Sequence, residues 1–129
     1  MSTKQWANSG DLIFREGEPG DHMYIITKGT VRIEKRSING PIVLARLTSG
    51  AFFGEMVLMG VTHRTASAVA DTETNLLVFD KNDLSALVRD KPEMAERIIY
   101  SLVKRLKTTT DALADAREKV PREDNQRRF

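Results

Sequence analysis

The chain has 129 residues with no cysteine, a hydrophobic fraction of 40% and a formal net charge of +2. This length suits one domain with an appendage, and the apolar fraction excludes wholesale disorder. The lack of cysteine excludes a disulfide scaffold, a thiolate zinc site and a thiol nucleophile. No stretch is apolar for as long as a membrane span requires, and the polar start is not a signal peptide, so we expect a cytoplasmic protein with no membrane partner.

The basic residues are concentrated in the last fifth of the chain. Residues 104–129 contain eight basic and five acidic side chains, interleaved along the sequence. A face that binds nucleic acid is expected to be more densely basic than this. We therefore expect no direct nucleic-acid binding.

Short apolar runs separated by turn residues occupy residues 10–80. Alternation and β-branched residues predict strands at 12–14, 22–27, 30–35, 42–47, 66–70 and 75–79. Asn39 and Gly40 lie between two of these runs and predict a hairpin turn. Strands this short at this spacing predict an all-β sandwich or barrel for this part of the chain.

A helical period follows from residue 81. Asp80 is predicted to cap a helix that runs to Val88, with Asp83 at its third position. Asp90 is predicted as the N-cap of a second helix with Pro92 in its first turn, and no helix breaker follows before residue 121.

An apolar stripe runs along the second helix with alternating spacings of three and four residues. Its members are Ile99, Leu102, Leu106, Thr109, Leu113, Ala116 and Val120. This spacing predicts an a/d seam of the coiled-coil type. Two interpretations are open: the stripe packs on the β domain, as we expect for residues 98–106, or it pairs with a second copy of the chain. We expect a parallel homodimer formed through residues 95–120.

Two charged residues, Glu55 and Arg64, stand in an otherwise apolar and small-residue stretch at 51–69. Burying either without a partner would be costly. Gly54 permits a sharp turn, and residues 55–59 are predicted to form one helical turn that ends at Gly60.

This stretch allows two interpretations. In one, Arg64 pairs with a phosphate, Gly54 and Ala66 offer backbone donors, and Glu55 accepts from hydroxyl groups. In the other, Glu55 and Arg64 form an internal salt bridge and no ligand is bound. The residue chemistry does not decide between them.

The segments Phe53-Gly54-Glu55 and Arg64-Thr65-Ala66 resemble the phosphate-binding cassette of the cyclic nucleotide-binding domain family. This family includes bacterial catabolite activators and the regulatory subunits of cyclic-AMP-dependent protein kinases. Gly17, Gly20 and Gly29 also fall where the family places turn glycines. The resemblance covers roughly residues 10–120. It implies a mainly β fold with α-helices, in which a double-stranded β-helix (jelly-roll) is followed by C-terminal helices that include one long dimerisation helix.

The resemblance also implies a division of the chain and a set of ligand-binding residues. The expected divisions are a short lead-in at 1–9, a cyclic nucleotide-binding β-roll at 10–90, a lid and dimer helix at 91–120, and a polar tail at 121–129. The implied binding residues are Gly54, Glu55, Met56, Arg64, Thr65, Ala66, Arg105, Thr109 and Thr110.

The resemblance implies roles for these residues. Arg64 would hold the cyclic phosphate, with backbone donors from Gly54 and Ala66 and the hydroxyl of Thr65, and Glu55 would hold the ribose 2′-hydroxyl. Arg105 would lie against the base, and Thr109 and Thr110, one from each protomer, would reach it; alternatively, the threonines are only a polar interruption of the coiled-coil seam. The two threonines favour cyclic AMP, and Thr65 is also compatible with cyclic GMP.

Other function classes fit the residues less well. A metal-dependent cupin enzyme needs converging histidines, and only His22 and His63 are present, so we expect no metal, no catalytic residues and no enzymatic activity. The resemblance therefore implies a sensor module that signals to an unidentified downstream protein. The alternatives are a ligand-independent dimeric interaction module of the same fold or a fragment of a transcriptional regulator. Residues 121–129 are too few for the DNA-binding domain that follows the dimer helix in the activators.

Overall fold

Two four-stranded antiparallel sheets and two helices make up the part of the chain that the computed structural model describes, residues 3–118. The strands are β1 (Thr3–Ala7), β2 (Leu12–Phe14), β3 (Met23–Lys28), β4 (Val31–Lys35), β5 (Ile42–Leu47), β6 (Phe52–Phe53), β7 (Ser67–Ala70) and β8 (Thr74–Phe79). A 3₁₀ helix spans Glu55–Met59, and the α-helices are α1 (Lys81–Asp90) and α2 (Pro92–Glu118). The predicted mainly β fold with C-terminal helices, of jelly-roll type, is confirmed.

The strand order is β1-β8-β3-β6 in one sheet and β2-β7-β4-β5 in the other. All six predicted strands are present, with ends within about two residues of those expected. The hairpin between β4 and β5 is also confirmed, and Gly40 adopts a φ of +107° in its turn.

Two strands were not predicted. β1 lies at the sheet edge in the expected lead-in, pairs with β8 and has four exposed residues out of five, so it carries no apolar periodicity. β6 has only two residues, Phe52 and Phe53, which is too short for an alternating pattern to show.

The four consecutive buried residues at the start of β3 pack alternately into two hydrophobic cores. Tyr24 and Ile26 face the space between the sheets, whereas Met23 and Ile25 face a second cluster that includes residues of both helices. Successive side chains of a strand point to opposite faces, so a central strand covered on both sides is apolar throughout. The helices therefore form a third layer on the sheet that contains β3.

The predicted start of α1 is confirmed. Asp80 caps the helix by accepting a hydrogen bond from the Asp83 amide at 2.8 Å, and the Asp83 carboxylate accepts one from the Asp80 amide at 3.0 Å. The predicted N-cap of the second helix is wrong, because Asp90 is the last residue of α1. The carbonyl of Lys91 instead accepts from the amides of Met94 and Ala95, and α2 begins at Pro92.

α2 has 27 residues, which correspond to about 40 Å. Ile98 is buried and Leu102 is partly buried against the second core, so this part of α2 packs on the β domain. Leu102 was expected in the seam and instead faces the domain. Ile99, Leu106 and Leu113 are more than 60% exposed. Val120, the end of the predicted dimer helix and the polar tail lie outside the described residues.

Candidate functional site

The 3₁₀ helix that follows β6 is held between two glycines. Gly54 precedes it with a φ of +78° and Gly60 follows it with a φ of +80°, both in the left-handed region that favours glycine. A Cβ at Gly54 would also lie 3.1 Å from the His22 carbonyl oxygen and 3.2 Å from Nη1 of Arg64. The single helical turn predicted for residues 55–59 is thus confirmed, and its first glycine allows the backbone to approach Arg64.

Arg64 is buried, with 8% of its surface exposed. Its Nη1 donates to the His22 carbonyl at 2.9 Å, and its guanidinium carbon lies 4.1 Å from the centre of the Phe14 ring. The Nε of Arg64 has no hydrogen-bond partner among residues 3–118. Leaving a charged donor unpaired in the interior is costly, and an acceptor from outside the described chain would remove this cost.

The β2–β3 loop, defined here as residues 15–22, holds the backbone around Arg64. Gly17 donates its amide to the Arg64 carbonyl at 2.7 Å, and the Arg64 amide donates to the Glu18 carbonyl at 2.8 Å. Pro19 and His63 form an antiparallel bridge beside them. Backbone hydrogen bonds therefore fix the position of Arg64 before any ligand contributes.

Glu55 pairs with a residue of the long helix. Nη1 of Arg105 lies 3.2 Å from Oε1 of Glu55, and Nη2 of Arg105 donates to the Phe52 carbonyl. No ion pair joins Glu55 to Arg64 in the described chain, so the internal salt bridge considered from the sequence is not formed. Arg105 instead links α2 to the segment that carries Glu55.

A cavity of about 100 Å³ lies at these side chains. It is lined by seven of the nine residues implied from the sequence, namely Gly54, Glu55, Met56, Arg64, Thr65, Ala66 and Arg105. Sequence reasoning missed its apolar wall, which includes Phe14 and Ile33, because nothing distinguishes these residues from ordinary core residues before the fold is known.

Thr109 and Thr110 do not line this cavity. Their hydroxyl groups donate to the carbonyls of Arg105 and Leu106 at 3.0 and 2.9 Å, and both residues are exposed. Thr109 borders a larger groove of about 920 Å³ between α2 and β5 with its connection to β6. Within one chain, the two threonines are therefore separate from the cluster around Arg64.

Tyr24 stacks on Phe53 beside the same cluster, with ring centres 5.0 Å apart. Burial raises the pKa of the Tyr24 phenol, and the positive charge of Arg64 opposes that shift. The phenol therefore stays neutral next to the buried guanidinium.

Within residues 3–118, no group of three or more histidine, cysteine, aspartate or glutamate side chains is placed to hold a metal ion. None of the helices in this part of the chain has the length and apolar character needed to cross a membrane.

Known proteins resemble this chain in sequence and in fold. The family model of the cyclic nucleotide-binding domain matches residues 4–91. A CRP-like cAMP-activated global transcriptional regulator of Mycobacterium tuberculosis is 36% identical over 107 residues, which cover 82% of this chain and 48% of the regulator. The chain thus spans about half the length of this curated relative.

Solved structures share the fold. The Thermus thermophilus catabolite activator protein superposes with a TM-score of 0.69 at 33% identity, covering 88% of this chain and 54% of the activator. The structure of cAMP-bound PfPKA-R superposes with a TM-score of 0.61 at 32% identity, covering 69% of this chain and 32% of that one.

Proposed function

Since the chain belongs to the cyclic nucleotide-binding domain family, we propose that it binds a 3′,5′-cyclic nucleotide, with cyclic AMP favoured, through Arg64 and Glu55. The observation that carries this proposal is the buried Nε of Arg64, which has no partner in the described chain and belongs to a residue that lines the same cavity as Glu55. The role is regulatory rather than catalytic.

Arg64 would hold the cyclic phosphate. The phosphate diester carries one negative charge, and a guanidinium offers a rigid fork that matches its two exocyclic oxygens. Gly54 and Ala66 line the cavity and would add backbone donors, and Thr65 would add its hydroxyl. Because Arg64 is buried, its attraction for the phosphate is screened less than that of a surface arginine.

Glu55 would accept a hydrogen bond from the ribose 2′-hydroxyl, beside the nonpolar surface that Met56 presents. Glu55 is already paired with Arg105, and the cavity of about 100 Å³ is smaller than the roughly 300–1,000 Å³ typical of small-molecule pockets. Ligand entry would therefore require Arg105 to move, and this movement would transmit binding to α2.

The base would be covered by α2 in a homodimer. Ile99, Leu106 and Leu113 lie exposed on this helix and would form the interface within residues 95–120. In that dimer each base would be contacted by Thr109 and Thr110, one of them from each protomer. Cyclic GMP remains the second candidate ligand, because Thr65 offers a hydroxyl near the site.

The movement of α2 on ligand binding would alter a surface that a downstream protein recognises. This coupling requires that the ligand bind the two conformations of α2 with different affinities. A cytoplasmic location and the absence of direct nucleic-acid binding remain predictions of the same proposal. A dimeric interaction module without a ligand and a part of a transcriptional regulator are the alternatives.

Isothermal titration calorimetry with cyclic AMP and cyclic GMP tests the binding proposal. We expect Arg64→Ala to weaken binding by at least about tenfold, the lower limit for a charged hydrogen bond of about 1.5 kcal/mol, without unfolding the chain. Arg89→Ala, at an exposed arginine paired with Asp90, is the matched control and should leave the affinity unchanged. An absence of heat at millimolar ligand, or full affinity in Arg64→Ala, would refute the proposal and favour the ligand-independent module.

Analytical ultracentrifugation with and without cyclic AMP tests the dimer. The double substitution Leu106→Glu and Leu113→Glu places charge on the exposed stripe and should yield a monomer. Val88→Glu, at an exposed apolar residue of α1, should not change the sedimentation. If the unmodified chain is monomeric at tens of micromolar in both conditions, the dimer proposal is wrong.

A further inference from the structure

Gly20 lies against the guanidinium of Arg64, which occupies the space that a side chain at residue 20 would fill. A Cβ built at Gly20 would stand 2.7 Å from Nη2 of Arg64 and closer still to Nε and Cζ. The φ of Gly20 is not in the left-handed region, unlike that of the other seven glycines. The turn therefore does not require glycine at this position, and the neighbouring guanidinium does.

The backbone of Gly20 is held in place. Its amide donates to the Thr62 carbonyl at 3.0 Å, and Pro19 bridges to His63 next to it. A side chain at residue 20 could be accommodated by moving this hydrogen-bonded backbone or by moving the flexible end of Arg64. Moving the end of a long side chain is the cheaper response.

Two further contacts hold the guanidinium where it lies. The Phe14 ring lies 4.1 Å from its central carbon, and Nη1 is bonded to the His22 carbonyl. A displaced guanidinium would lose both contacts. Its Nε, now unpaired in the described chain, would no longer be presented from the same buried position.

We propose that Gly20 is a positioning residue of the anion site, because its missing side chain permits the buried placement of the Arg64 guanidinium from which the phosphate is bound. The inference rests on the proposed function of Arg64. It adds a requirement in the β2–β3 loop, outside the segment of residues 53–66 that resembles the cassette.

The test is Gly20→Ala in the full chain, titrated with cyclic AMP by calorimetry. We expect the chain to remain folded and the Kd to rise at least about tenfold, which corresponds to loss of one charged hydrogen bond. Gly40→Ala is the control: Gly40 has a φ of +107° and no atom within 4 Å of an added Cβ. It should lower the Tm through backbone strain and leave the Kd unchanged. An unchanged Kd in Gly20→Ala would overturn the proposal.

Arg64→Lys separates positioning from folding, because lysine lacks the planar group that the Cβ would meet. In the Arg64→Lys background, Gly20→Ala should cause no further loss of affinity. If Gly20→Ala alone does not fold, adding Arg64→Lys should restore folding. A double variant that stays unfolded, or that loses as much affinity as Gly20→Ala does in the unmodified chain, would show a purely structural role and would overturn the inference.

A measurement without ligand distinguishes this inference from the proposed function. The Nε–H signal of Arg64 in a ¹⁵N NMR spectrum, assigned by its loss in Arg64→Lys, should shift in Gly20→Ala and not in Gly40→Ala. If the unmodified chain does not bind cyclic AMP while this shift occurs, the proposed function fails and the placement of Arg64 by Gly20 stands. An unshifted signal would overturn the placement.

Discussion

The ion pair between Glu55 and Arg105 ties the long helix to the segment that carries the candidate site, and its strength is measurable. Nη1 of Arg105 lies 3.2 Å from Oε1 of Glu55, and the two side chains keep 25% and 31% of their exposure. Exposed pairs contribute about 0.2–1 kcal/mol. Because both partners are partly buried and screening is reduced, we expect a coupling of about 1 kcal/mol, the upper end of that range.

A double-mutant cycle of Glu55→Gln and Arg105→Met, followed by urea unfolding at one protein concentration, isolates this energy. Each single variant loses the pair, and the double variant loses it once, so the single losses should add to about 1 kcal/mol more than the double loss. Arg105→Met should be the more destabilising single change, because Arg105 also donates to the Phe52 carbonyl.

An exposed pair on the same helix provides the control. Lys107 and Asp111 are 2.7 Å apart with 75% and 64% exposure, and such pairs contribute about 0.2–0.5 kcal/mol. The Glu55–Arg105 coupling should exceed this value and should decrease less in 1 M salt, where the Debye length is about 3 Å. An additive cycle, or a coupling no larger than that of the control pair, would refute the reasoning.

Three further predictions concern stability. Gly29→Ala should destabilise the chain by more than about 3 kcal/mol in urea unfolding, because Gly29 has a φ of +100° and an added Cβ would meet the Glu73 carbonyl. Gly40→Ala, at a glycine with a similar φ but open space around it, should cost about 1 kcal/mol. Equal losses in the two variants would contradict the steric argument. Asp80→Ala removes the cap of α1 and should cost about 1 kcal/mol in the same assay; an unaltered midpoint would mean that the cap contributes nothing. Burial raises the pKa of Tyr24, so the stabilising contribution of its neutral phenol is complete below the usual tyrosine pKa of about 10 and is lost as the pH rises through the folded pKa. Tyr24→Phe should therefore reduce the fall of the Tm at alkaline pH. An identical fall in both proteins would exclude Tyr24 as its source.

The regular elements were predictable from the sequence where a periodic pattern had room to repeat. The six predicted strands and α1 with its Asp80 cap follow from alternation, turn residues and capping chemistry, which act between near neighbours in the chain. β1 was missed because an exposed edge strand needs no apolar face. The N-cap of α2 was misplaced because α1 runs on to Asp90, so that only Lys91 separates the two helices.

The candidate site was predictable as a set of residues but not as a set of contacts. Glu55 and Arg64 stood out because charges are rare in an apolar stretch, and both line the cavity. An internal pair between them was one of the two interpretations that the residue chemistry left open, yet Glu55 pairs with Arg105, fifty residues away. Nothing local signals that contact, because it depends on how α2 packs across the β-roll.

The sequence by itself determined that short strands forming a sandwich or barrel are followed by helices, and it set Glu55 and Arg64 apart as isolated charges in an apolar stretch. Periodicity and residue chemistry are local properties, so they can be read without coordinates. Only the tertiary structure decided which partner each charge has. In the described chain it leaves the Nε of Arg64 without a hydrogen-bond partner and places Gly20 against the guanidinium. Close contacts between distant segments follow from packing, which the order of residues along the chain does not reveal.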